Sequence, residues 1–146
     1  GSNDAIRGGM PVVTDHGLVG RVEAVAADAA RIQLITDPGS AVNVRLEATN
    51  TDALLTGSVT GALSLDMISQ DANVQVGDII LTSGLGGGYP PNILVGQVLS
   101  VRKLDYELFQ QADIQPIVDF DRIQFVLVIT NFRPVDITPL IPTQAP

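Results

Sequence analysis

Cysteine is absent from this 146-residue chain, which excludes thiol catalysis, disulfides and cysteine-based zinc sites, and permits an oxidising compartment without requiring one. Tryptophan is absent too, and four Phe and two Tyr are the whole aromatic supply. Basic residues are scarce: eight Lys and Arg stand against sixteen Asp and Glu, for a formal net charge of -8. With no basic cluster, the chain makes a poor nucleic-acid binder and has a weak claim to an anionic membrane surface. A single His remains for acid–base work. No apolar run approaches the roughly 18 residues of a membrane span, and no signal peptide is visible. The chain opens Gly-Ser rather than Met, which reads as a piece of a longer protein.

What is present is branched apolar residues in short, alternating runs. Hydrophobic residues make up 45% of the chain and charged ones 16%, enough to bury a core and to argue against disorder. "MPVVT", "GLVGRVEAV", "RIQLIT", "AVNVRLEA" and "LLTGSVTG" follow one another with turn signals between them. "VNVRLEA" alternates cleanly, with Val42, Val44 and Leu46 on one face and Asn43, Arg45 and Glu47 on the other, the pattern of a half-buried strand. The second half adds "ALSLDMI", "DIILTS", "ILVGQVLSVRK" and "RIQFVLVITNF", the last being the most apolar strand. "EAVAADAARIQ" and "DYELFQQAD" tempt a helix assignment but hold no 3.6-residue period beyond about two turns, and both read as strand edge or turn.

Two pieces recur. "GMPVVT" from Gly9 parallels "GDIILT" from Gly77, and "LVGRVEAV" from Leu18 parallels "LVGQVLSV" from Leu94. The connection inside the second copy is eight residues longer and holds the glycine cluster. An all-β protein with two small barrel-like domains and little or no helix is expected: a first unit over residues 12–73 and a second over 74–134, with 1–11 contributing to the second. The proline-rich stretch 135–146 reads as an extended tail.

The longer connection, "GDIILTSGLGGGYPPN", sets four glycines in five positions. A dinucleotide fingerprint counted from Gly84 puts Tyr89 at its sixth position, where glycine is needed, and Pro90-Pro91 follow; no Lys-Ser or Lys-Thr completes a P-loop. The stretch reads as an elaborate β connection in which glycines permit positive φ and close approach. Asp15, His16 and Ser83 supply one of each triad residue, but Ser83 is in no "GxSxG" or "GDSG" setting, and His16 in "TDHG" reads as a turn residue. Asp113, Asp119 and Asp121 fit no calcium-loop spacing. No cofactor or metal is expected.

Taken in order, "GGMPVVTDHGLVGRV", "IQLITDPGSAVNVRL", "GSVTG", "DANVQVGDIILTSGLGGGYPPNILVGQV" and "VDFDRIQFVLVI" closely resemble the bacterial rod shape-determining MreC family over nearly the whole chain. The family has a glycine shortly after its glycine–aromatic–proline turn, where this chain has Pro91-Asn92.

The resemblance implies a non-enzymatic scaffold of cell elongation. It would act through contacts with the elongation transpeptidase (a penicillin-binding protein), with MreD and with other copies of itself. It would lie outside the cytoplasmic membrane, tethered by an N-terminal helix absent from this chain. It gives Gly20, Gly96, Thr82, Ser83, Gly84, Gly86 and Pro90 structural roles, and His16, Leu18, Leu85 and Tyr89 are the candidate partner contacts. Two other readings compete. A serine hydrolase would need His16, an acid and Ser83 in mutual reach. A glycan-binding module would need Tyr89, Tyr106 or Phe109 in a concave, polar site.

Overall fold

The structure, a computed structural model, describes residues 6–135. Ten strands run in order: β1 (Pro11–Val13), β2 (Leu18–Val25), β3 (Ala30–Leu34), β4 (Ala41–Leu46), β5 (Thr51–Thr56), β6 (Leu63–Ser69), β7 (Ile79–Thr82), β8 (Leu94–Arg102), β9 (Phe109–Pro116) and β10 (Leu127–Val128). A single 3-10 turn, Leu85–Gly87, interrupts them. Strands β4-β5-β6-β9-β8-β7 close into a barrel, and β10-β1-β2-β3 form an open sheet. The all-β expectation holds, with one closed barrel and one open sheet.

Alternation decides which side chains fill the barrel. Val42, Val44 and Leu46 of β4 are buried, whereas Ala41 and Asn43 face out. Leu55, Leu65, Ile68, Ile80, Val95, Val98 and Ile114 complete an apolar interior. Leu18 at the start of β2 and Ile35 just after β3 belong to the same cluster, so the open sheet plugs one end of the barrel. A second cluster, Met10, Val12, Val19, Val22 and Val118, lies under the open sheet, and Phe120 packs against both.

The sequence repeat is a repeat of register. Pro11↔Arg21, Val12↔Gly20 and Val13↔Leu18 in one copy match Ile79↔Gln97, Ile80↔Gly96 and Leu81↔Leu94 in the other. Each copy slips register at the same step, Val12/Val13 and Ile80/Leu81. The next pairings slip at equivalent steps as well, Val22/Ala24 and Val98/Ser100. On the other flank, Val12↔Val128 corresponds to Ile80↔Leu46. The four strands β10-β1-β2-β3 therefore repeat β4-β7-β8-β9, and β5 and β6 are the pair that closes only the barrel.

Two expectations change. A division at residue 73 would separate β6 from β9 and β4 from β7, which are hydrogen-bonded neighbours; barrel closure joins the two sequence halves. The open sheet likewise takes β10 from the far end of the chain. "RIQFVLVITNF" pairs as a strand only at Leu127–Val128, because the three-residue β1 offers so short a ladder, and Phe125 stays 82% exposed. "DYELFQQAD" is a turn followed by β9, whose inward positions are Gln110, Ala112 and Ile114. The Gln110 amide is satisfied by donating to the carbonyls of Ser69 (2.8 Å) and Ala72 (2.7 Å). Most of the tail, residues 136–146, lies outside the described residues.

Candidate functional site: the glycine connection and the exposed loop ends

The connection from β7 to β8 is organised by Thr82, which is fully buried. Its Oγ1 donates to the Pro90 carbonyl at 2.7 Å and accepts the Ile93 amide at 2.8 Å. Its backbone amide donates to the Ile93 carbonyl, and its own carbonyl accepts the Asn92 amide, both at 2.8 Å. One side chain thus closes both ends of the excursion. Ser83 donates its amide to the Asn43 carbonyl (3.1 Å), and its hydroxyl accepts the Leu85 amide (3.1 Å). Asn43 Nδ2 in turn donates to the Leu85 carbonyl.

Between these anchors the backbone turns left-handed at Gly84, Gly86 and Gly87, with φ of 82°, 78° and 72°. A side chain at any of them would be strained. Asn92 also sits at φ 71°, and its Oδ1 accepts Arg45 at 2.7 Å. The Gly87 carbonyl accepts the Val135 amide at 2.8 Å, so the loop also holds the C-terminal segment. Pro90 contributes a carbonyl, and Pro91 packs on Gly84. Tyr89 is half-buried against the barrel cluster; burial pushes its phenol up to about 12 from 10.0, against the opposing pull of Arg21 on β2.

Gly20 and Gly96 are close-approach positions. A Cβ on Gly20 would overlap the Gln33 carbonyl oxygen, and one on Gly96 would overlap that of Gln115.

The candidate contact residues divide. His16 is exposed in the turn after β1, its amide donating to Thr14 Oγ1 and its Nδ1 lying 3.0 Å from Asp15 Oδ1. Leu85 is 53% exposed at the tip of the glycine connection. Leu18 is a correction: it is 0% exposed, because the register slip at the start of β2 turns it into the end of the barrel. The side-chain contacts of His16 and Ser83 are with sequence neighbours, Asp15 and Leu85, and do not connect the two, so the structure assembles no hydrolase triad from them.

A second surface lies elsewhere on the barrel. Leu54, Met67, Leu104, Leu108 and Phe109 line a groove of about 490 Å³ between β6 and the β8–β9 turn. Sequence reading singled out Phe109 and Tyr106 only as possible sugar platforms and missed the rest. The available signal was "KLDYEL", where apolar residues alternate with charged ones inside a turn. Nothing in the sequence marks Met67.

A model of the family described as "Rod shape-determining protein MreC, barrel core" matches residues 1–130. The cell shape-determining protein MreC of Cereibacter sphaeroides is 34% identical over 133 residues, which is 90% of this chain and 42% of that protein. The chain spans less than half the length of the curated relatives matched along most of it. The crystal structure of MreC from Pseudomonas aeruginosa is 29% identical with a TM-score of 0.82, covering 88% of this chain and 84% of that one. A solved complex between penicillin-binding protein PBP2 and MreC from Helicobacter pylori matches at 21% identity and a TM-score of 0.64, over 75% of this chain and 68% of that one, a likeness of fold.

Proposed function

This chain belongs to the rod shape-determining MreC family, and from that premise we propose that it is a non-enzymatic scaffold of bacterial cell-shape maintenance. It acts outside the cytoplasmic membrane, in a protein anchored by a helix that is not among the described residues. It binds the elongation transpeptidase and other copies of itself, and it links that machinery to MreD and the cytoskeletal filaments. The mechanism is binding: rigid β units present loop ends and strand edges, and occupancy fixes the position or conformation of the partner.

The observation that carries this reading is the family match over residues 1–130, on a chain whose barrel interior is a cluster of buried, mostly branched apolar side chains. A filled barrel leaves only its outside for function. The solved Helicobacter pylori complex supports a penicillin-binding protein as partner. Sedimentation velocity tests it, with the chain alone and mixed with the soluble extracytoplasmic part of the elongation transpeptidase. A heavier mixed species is the expected result; the absence of one across a concentration series would sink the partner assignment.

A further inference from the structure

We propose that the groove between β6 and the β8–β9 turn is the docking surface for that transpeptidase, receiving an extended apolar segment flanked by Lys or Arg. The inference rests on the partner reading above and adds the surface and the chemistry of what it takes.

This surface gathers several exposed apolar side chains in one place. Leu108 is 85% exposed, and Leu104, Phe109 and Met67 are exposed with it in the groove lining; Tyr106, 81% exposed, stands on the same turn. In a chain with six aromatic residues, two stand on one six-residue turn and the strand it enters. Contiguous exposed aromatic and aliphatic groups mark interaction sites, and aromatic residues dominate the binding energy of interfaces.

The turn is also held in one shape. Gln70 Nε2 donates to the carbonyls of both Leu104 (3.0 Å) and Glu107 (2.7 Å), and the Glu107 amide donates to the Leu104 carbonyl at 3.0 Å. A loop fixed before it meets its partner loses less entropy on binding. On the facing strand, β6 carries one extra residue between Leu65 and Ile68. Met67 lies in this bulge at φ 61°, a left-handed conformation that an unbranched non-glycine residue adopts only at a cost. The bulge leaves the Met67 side chain out at the groove, and a thioether packs against varied apolar shapes.

Charge selects the partner's flanks. Two polar pairs border the groove: Gln111 Nε2 donates to Asp66 at 2.6 Å, and Arg102 pairs with Asp113 at 3.0 Å. Within the turn Lys103 faces two acids, Asp105 and Glu107, and the chain as a whole carries -8. A basic-flanked apolar segment matches this rim.

The test uses biolayer interferometry with the immobilised soluble transpeptidase, at low and high salt. Leu108→Asp and the double substitution Leu104→Ser/Tyr106→Ser should each weaken binding about tenfold or more. Phe125→Ser, on an exposed residue of the open-sheet region, should leave it unchanged. Wild-type binding should weaken as salt rises. Unchanged thermal unfolding of the groove variants shows that they fold. Wild-type-like binding by both groove variants, beside real wild-type binding, overturns the surface and leaves the partner assignment standing. Absence of wild-type binding overturns both. Capture of soluble glycan strands instead, lost in Leu108→Asp, reassigns the groove to sugar.

Discussion

The paired glycines offer an internal control on what barrel closure does energetically. Gly20→Ala and Gly96→Ala introduce the same methyl group at equivalent register positions, against the carbonyl oxygens of Gln33 and Gln115 respectively. The following Cα atoms are equally near, Leu34 at 3.0 Å and Pro116 at 2.9 Å from the added carbon. What differs is the freedom of the strand that must give way. Among the described residues β3 is an outer strand of an open sheet, so it can swing outward. Strand β9 is bonded to β6 on its far side through Leu63↔Ile114, Ser64↔Asp113 and Leu65↔Ala112, and cannot retreat without opening the barrel. Overpacking where neighbours yield costs about 1 kcal/mol, and where they do not, about 3 kcal/mol. For a domain of this size those costs correspond to melting-temperature losses of roughly 3 °C and 9 °C. Circular dichroism melts of the two variants beside wild type measure the contrast. A Gly20→Ala loss equal to or larger than that of Gly96→Ala would refute the argument that closure, and not the clash itself, sets the cost.

Three further outcomes follow from named contacts. Gln110→Leu keeps the volume but strands the Ser69 and Ala72 carbonyls, and should lower stability by about 2 kcal/mol in urea unfolding. At Asn92, Ala loses both the Arg45 hydrogen bond and the tolerance for φ 71°, while Gly loses only the first. Ala should therefore cost about 2 kcal/mol and Gly about half as much, a ranking that denaturant midpoints will read directly. The Tyr89 phenol, raised to about 12 by burial, holds its proton in the folded state where the unfolded chain releases it near 10.0. Its contribution is complete below pH 10 and fades as pH rises through 12, so Tyr89→Phe should flatten the alkaline fall in urea midpoint over that window.

Strand existence was legible because alternation is a local property: Val42, Val44 and Leu46 are adjacent enough for their shared face to be read from the chain alone. The glycine connection was legible for the same reason, since left-handed positions favour Gly or Asn. Strand partnership was not. The repeat of "LVGRV" and "LVGQV" is real in register, yet it suggested two consecutive units, and only the pairing of β6 with β9 reveals that closure crosses between them. Leu18 failed as a surface candidate because a register slip reverses which face a residue joins. Gln110 hid β9, since an inward glutamine breaks the apolar alternation and is tolerable only when two carbonyls, 41 and 38 residues away in sequence, accept its amide.

The two copies of the repeat also separate framework from function. Their strands agree in register and in both slips, so the difference between them lies in what joins and closes the strands. One difference is the eight-residue extension of the glycine connection, and its hydrogen bonds run inward, to β4 through Asn43 and Arg45 and to the C-terminal segment through Val135. That extension reinforces. The other is the turn after each second strand of the repeat: β2 reaches β3 through the short stretch 26–29, three alanines and Asp28, whereas β8 reaches β9 through 103–108 with the large apolar Leu104, Tyr106 and Leu108 exposed. Both turns face solvent on the same strand framework, so folding alone does not call for the apolar residues in the second. A surface cost that one copy carries and the other avoids is the mark of selection for contact, and it places the contact at the β8–β9 end of the barrel.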